Sequence, residues 1–213
     1  TMLGVVKAHL RCPAGLKLST PCDLDKISTT TATEHYFPGD RENGAVFKHA
    51  TMMATAAMFR AAKTVKSDAL AAELSDLAFW MLDLVFPYRT LNDPFTFKGN
   101  PRFCTQYNNS ETMENVGPML SGTASWLSLT VSEFLGIYYT DGGIELSPIL
   151  PDDSENVDFE LNRLGTRFLV HVEKSKGFAR VGDGTRFTFD GEACGRIVPA
   201  PMDGGVHRTT VAL

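Results

Sequence analysis

Three short segments of this chain carry residues with chemical potential. The first is Gly39-Asp40-Arg41-Glu42-Asn43-Gly44, a charged cluster just ahead of an apolar-rich stretch that holds His49. The second is Ser121-Gly122-Thr123, two hydroxyls flanking a glycine at the start of a helical pattern. A helix N-terminus presents free N–H groups and a positive dipole end, which suits an anion. Glycine there lets the backbone approach a ligand closely. The third is Cys104-Thr105-Gln106-Tyr107-Asn108-Asn109, whose amides and aromatic ring suit the hydroxyls and flat faces of sugars. Each segment also has a plainer account: a cap with one satisfied core histidine, an ordinary Ser/Thr cap, and a solvated loop.

The elements that position these residues follow from periodicity. Leu3, Val6 and Leu10 recur at helical spacing, and Cys12-Pro13-Ala14-Gly15 stops that helix. Residues 20–35 are polar and irregular, and Pro38-Gly39-Asp40 marks a turn. From Gly44 to Lys66 two apolar stripes, one through Val46 and Met53 and one through Phe47 and Met58, predict a helix buried on most of its surface. His49 then lies one to two turns inside it. Ser67 and Asp68 open a second helix through Leu70, Leu77 and Leu84, ending before Pro87. Met52, Met53 and Trp80 read as core. Residues 88–120 show no clear periodicity, and a loop of that length usually has a job. Residues 121–135 form another helix, with Gly136 as its C-cap.

After Gly136 the texture changes to short alternating runs: 143–146, 157–161, 167–172 and 186–189, separated by glycines. This predicts an antiparallel sheet or sandwich. The expected organisation is a helical region over residues 1–140 and a β-region over 141–213.

Composition narrows the class. A net charge of −5 and a pI near 5.5 disfavour nucleic acid, whose phosphates need a basic surface. No apolar run approaches the length of a membrane span. The first residues lack the layout of a secretory leader, and they do not read as a natural start. Cys12, Cys22, Cys104 and Cys194 form no C-x-x-C pair, so no metal site is expected. They read as free thiols in a reducing cytoplasm.

Several ordered blocks carry a family resemblance: "YFPGDRENGAVFKHATMMA", "NPRFCTQYNN", "ENVGPMLSGTASW" and "GFARV". Together they resemble the inverting phosphorylases of glycoside hydrolase family 94, with a spelling closest to its cellodextrin-acting members. The resemblance runs in one register from about Leu3 to Arg180. It implies the C-terminal portion of an (α/α)6 barrel followed by a small antiparallel β-sandwich. By that resemblance His49, Ser121, Gly122 and Thr123 match the phosphate-binding positions. Arg41 and Glu42 match positions lining the reacting glucose, and Gln106 matches a glutamine contacting the same sugar.

The implied reaction is cleavage of β-1,4-glucan oligosaccharides by inorganic phosphate, giving α-glucose 1-phosphate and a shortened glucan. No cofactor is implied; phosphate is a co-substrate. Because phosphate is itself the nucleophile, one carboxylic acid suffices to protonate the leaving oxygen. The family's acid is an aspartate in a D-W-N-D-like segment, and this chain has no such segment. The expected partners are therefore the remainder of the phosphorylase, the glucan and phosphate, with homodimers common in the family. Alternatives are a phosphorylase for cellobiose or for β-1,2- or β-1,3-glucans, or a non-catalytic glucan-binding or structural fragment.

Overall fold

The computed structural model describes residues 2–23, 36–88, 104–118 and 122–213. Among them are four helices, α1 (Met2–His9), α2 (Lys48–Thr64), α3 (Asp68–Asp83) and α4 (Gly122–Leu135). The chain divides into two compact units, residues 1–55 with 78–128 and residues 56–77 with 129–213.

In the first unit, β1 (Arg11–Cys12) and β2 (Gly15–Leu16) form a tight hairpin. Three further strands, β3 (Val46–Phe47), β4 (Thr105–Asn108) and β5 (Asn115–Pro118), make an antiparallel sheet in the order β3-β4-β5. Its core holds Ala14, Val46, Met52, Ala78, Met81 and Val85.

Three expectations are corrected here. The helix starts at Lys48, not near Gly44, because Val46 and Phe47 pair with Asn108 and Tyr107 across the sheet. A β-branched and an aromatic residue fit a pleated pairing surface well. His49 is accordingly in the first turn of α2. The aperiodic stretch before Ser121 also contains a hairpin, β4–β5, whose strands are too short to display a period of two. Met53 is 44% exposed, whereas its neighbour Met52 is fully buried. Trp80 carries the Arg11 guanidinium over its ring, 4.3 Å from the centroid.

The second unit holds the remaining strands: β6 (Ile137–Thr140), β7 (Gly143–Leu146), β8 (Ile149–Leu150), β9 (Val157–Arg163), β10 (Thr166–Glu173), β11 (Ala179–Arg180), β12 (Arg186–Phe189), β13 (Glu192–Cys194), β14 (Ile197–Val198) and β15 (Val206–Ala212). The largest sheet runs β13-β12-β15-β10-β9. Phe168, Val170 and Val172 alternate inward along β10, and Phe187 and Val211 join them. The sheet is mixed rather than purely antiparallel, because β10 and β15 run parallel. The long connection between them, which carries β11 to β14, permits that crossover.

Local chemistry explains the helix ends. Ser67 Oγ accepts from Leu70 N at 3.3 Å, the cap anticipated for α3. Arg180, in the GFARV block, donates to the carbonyls of Ala62 at 2.7 Å and Val65 at 2.8 Å, and pairs with Asp68 at 2.6 Å. One guanidinium thus satisfies the frayed C-terminus of α2 and braces the start of α3.

His207 forms a second clasp. Its ring lies between Phe168 and Phe189, centroids 5.8 Å and 5.1 Å away. Nδ1 is 2.7 Å from Asp190 and Nε2 is 3.2 Å from Asp203. Those carboxylates also accept from the N–H groups of Arg208 and Gly205. Asp190, then Asp203, raise the imidazole above its ordinary 6.5. A raised folded pKa stabilises fully below 6.5, and that contribution is lost as pH rises through the folded value. Thermal unfolding of the chain should therefore show a midpoint that falls as pH rises above 6.5, and His207→Gln should flatten that slope. An unchanged slope in the variant would show that the clasp does not titrate.

Candidate active site

Glu42 and its neighbours sit on a loop, residues 36–44, that is closed by its own backbone. Gly39 N donates to Asn43 O at 2.8 Å, Asn43 N to Asp40 O at 2.9 Å, and Ala45 N to Arg41 O at 3.0 Å. Arg41 adopts a left-handed conformation, φ 40°, which is uncommon outside glycine. Its guanidinium lies 4.9 Å from the centroid of the Tyr36 ring, a cation–π contact. Arg41 and Glu42 are both exposed.

The loop leads directly into β3, and β3 brings the third chemical segment alongside. Tyr107 stacks on Phe47 with centroids 4.6 Å apart. The Tyr107 hydroxyl reaches Glu42 Oε1 at 3.5 Å. Burial, and then the Glu42 carboxylate, push its phenol above the ordinary value, so it stays a donor. Successive strand residues point to opposite faces, so Gln106 faces away from Tyr107. Gln106 is half-buried beside Gly117. The β4–β5 turn is also tied to the charged loop, with Ser110 N donating to Gly39 O at 2.9 Å. Asn109 Oδ1 accepts from Glu111 N and Thr112 N, an Asx turn that shapes this connection.

His49, half-buried, extends the same cluster. Its ring is 5.4 Å from Phe47 and 6.1 Å from Trp126. Trp126 lies four residues into α4, one turn or about 6 Å beyond Gly122. His49 itself sits in the first turn of α2. Gly122 opens α4 and Thr123 follows it. Ser121 lies outside the described residues.

The residue before His49 anchors it. Lys48 is 2% exposed and donates to Ala14 O at 2.7 Å and Leu84 O at 3.4 Å. Burial pushes the ammonium down to about 8, and negative charge on Cys12, then on Cys104, would pull it back up. Leu84 follows the last residue of α3, so Lys48 serves as a cation at that helix C-terminus.

Residue types do not mark Lys48 at all, and they mark Asn43 and Tyr107 only as members of longer segments. Only burial separates them from solvated residues, and burial comes from long-range packing.

A run of contacts links the charged loop, through Tyr107 and Phe47, to His49 and to Trp126 of α4. The chain is similar to a sugar phosphorylase. That protein is N,N'-diacetylchitobiose phosphorylase of Vibrio proteolyticus, with 22% identity over 223 residues, taking in 99% of this chain and 25% of that protein. This chain thus spans about a quarter of the length of the curated relative it matches. No family model matches the chain.

Proposed function

We propose that this chain supplies the phosphate-binding part of the active site of an inverting phosphorylase acting on β-linked glucan oligosaccharides, with cellodextrins as the expected substrates. The observation that carries the reading is the run of contacts from Glu42 through Tyr107 and Phe47 to His49, and from His49 to Trp126 of α4. Similarity to a phosphorylase supports the reaction class. The expected setting is part of an (α/α)6 barrel with a C-terminal β-region.

In this reading a phosphate oxygen attacks the anomeric carbon as the glycosidic C–O bond breaks. The leaving oxygen takes a proton from an acid supplied by another part of the protein. His49, Ser121, Gly122 and Thr123 hold the phosphate, and Arg41 and Glu42 line the sugar; Gln106, matched to the same sugar by resemblance, lies on the opposite face of β4 from the Tyr107–Glu42 contact. N–H donors at a helix start and an imidazole strengthen as charge moves through the phosphate.

The name of the relative favours a second substrate, an N-acetylated β-linked disaccharide. The protein carrying this chain is incubated with phosphate and cellotetraose, cellobiose or N,N'-diacetylchitobiose, and sugar 1-phosphate is measured. Release from cellotetraose is expected. Release from N,N'-diacetylchitobiose alone would replace the substrate, and no release from any would sink the reading. Glycan binding indifferent to phosphate would favour a non-catalytic module. His49→Ala should raise the apparent KM for phosphate about 10- to 100-fold, the worth of a charge-assisted hydrogen bond. An unchanged KM for phosphate would remove His49 from the site.

A further inference from the structure

We infer that Asn43 is the positioning residue of the sugar-facing loop, holding Arg41 and Glu42 in place without touching substrate. The inference rests on the reading above, in which those two residues line the glycan.

An asparagine amide has two donor hydrogens and two acceptor lone pairs. Asn43 uses them all while only 4% exposed. Oδ1 accepts from Cys22 N at 3.0 Å and from the Cys22 thiol at 3.7 Å. Nδ2 donates to Cys22 O at 2.8 Å and to Tyr36 O at 2.9 Å. One side chain therefore joins two stretches of chain that are otherwise apart in sequence. It grips Cys22 as a paired strand would, through both its N–H and its C=O.

The grip reaches the functional residues by two routes. Tyr36, whose carbonyl Asn43 holds, provides the ring against which Arg41 lies. Asn43 also closes the loop through its own backbone, accepting from Gly39 and donating to Asp40. Arg41 sits between those anchors in a left-handed conformation, φ 40°. Such a backbone persists only where its surroundings over-determine it. Beside it, the Pro21 ring packs against the α-carbon of Gly44, so that an added methyl would lie 2.6 Å from Pro21 Cγ. The segment that Asn43 holds is thus also packed against the far end of the loop.

Aspartate at this position has nearly the same shape but no N–H donors. A carboxylate oxygen would face the carbonyls of Cys22 and Tyr36 and repel both. The phosphate-side group His49 stands on α2, whose first turn is anchored by Lys48 rather than by Asn43. Loss of the Asn43 bonds should therefore separate the two substrates.

Asn43→Asp and Asn43→Ala are made in the protein carrying this chain. KM for the glycan and for phosphate is measured alongside amide hydrogen exchange. The expected result is a glycan KM raised about 10- to 100-fold, in line with loss of positioning, and a phosphate KM within about twofold of the unmodified protein. The amides of Cys22, Gly39 and Ala45 should exchange faster while those of α2 stay protected. Unchanged kinetics, or exchange unchanged in an active protein, would overturn the role of Asn43. Equal rises in both KM values with loss of protection in α2 would reduce Asn43 to general stability. No turnover by the unmodified protein on any β-glycan would instead sink the functional reading, and the glycan part of this inference with it.

Discussion

Gly136→Ala should leave the second unit unable to reach its native packing. Gly136 follows α4 with φ +67°, a left-handed conformation that ends a helix and costs a non-glycine residue about 1 kcal/mol or more. The larger effect is steric. A β-carbon here would lie 1.9 Å from the carbonyl carbon and oxygen of Ser147, and 2.5 Å from Pro148 N. These are backbone atoms, with no rotamer by which to move aside. Ser147 N also donates to Gly136 O at 2.8 Å, so separating the chains loses a hydrogen bond as well. The α4 end and the segment after β7 would have to part, disturbing the neighbours Leu146, Ile149 and Leu150, all fully buried or nearly so. The expected loss is more than about 4 kcal/mol, at the severe end for a single substitution. Gly165→Ala is the control. Its φ is +85°, but nothing lies within 4 Å of an added β-carbon. It should cost only the conformational strain, about 1–3 kcal/mol. Urea unfolding followed by circular dichroism measures both. Equal losses would mean that strain alone matters at Gly136.

The same glycine marks how far the sequence can be read. Its place after an apolar-periodic run predicts a C-cap, and the helix does end at Leu135. Its contact with Ser147 is a tertiary fact with no local trace. The pattern repeats across the chain. Ser67 is legible as a cap because capping is local. The strands 143–146 and 186–189 are legible because alternation and flanking turns are local. The start of α2 is not, because Val46 and Phe47 obey a helical stripe equally well until β4 is known to lie beside them. Nor is the parallel pairing of β10 with β15, which depends on where a long connection returns. At the candidate site, His49 and the helix opening at Gly122 stand out by type and position. The ring contact of His49 with Trp126 does not, nor does the grip of Asn43 on Cys22, twenty-one residues away.

Glu133→Ala tests a buried network that residue types give no reason to expect. The Glu133 side chain is 3% exposed. Its Oε1 is paired with Arg60, and its Oε2 accepts from the Tyr138 hydroxyl at 2.6 Å. Lys63 donates to the Glu133 main-chain oxygen and lies 3.2 Å from the Tyr138 hydroxyl. Burial alone would raise the Glu133 carboxyl; the hydrogen bonds from Arg60 and Tyr138 outweigh it and hold it below 4.5. Burial pushes Lys63 down to about 8, with Glu133 pulling it back up. Removing one partner of a buried pair leaves the other uncompensated, commonly a loss of about 3–5 kcal/mol. Arg60 is 66% exposed and largely screened, so a loss of about 3 kcal/mol is expected at pH 7.

The pH dependence separates charge from packing. The depressed carboxyl contributes stability above its unfolded 4.5 and loses it as pH falls through the folded value. Lys63 binds its proton more weakly folded, about 8, than unfolded, 10.5, so the stability of the unmodified protein rises with pH across that window. Without Glu133 the folded Lys63 value drops further, and the rise begins at lower pH. The difference between the two proteins should therefore be greatest between about pH 5 and 8 and shrink toward pH 10. Lys63→Met combined with Glu133→Leu should be less destabilised than Glu133→Ala, because an apolar pair leaves no buried charge behind. Urea midpoints from pH 4 to 10 give all three curves. A difference that is flat in pH would assign Glu133 to packing alone.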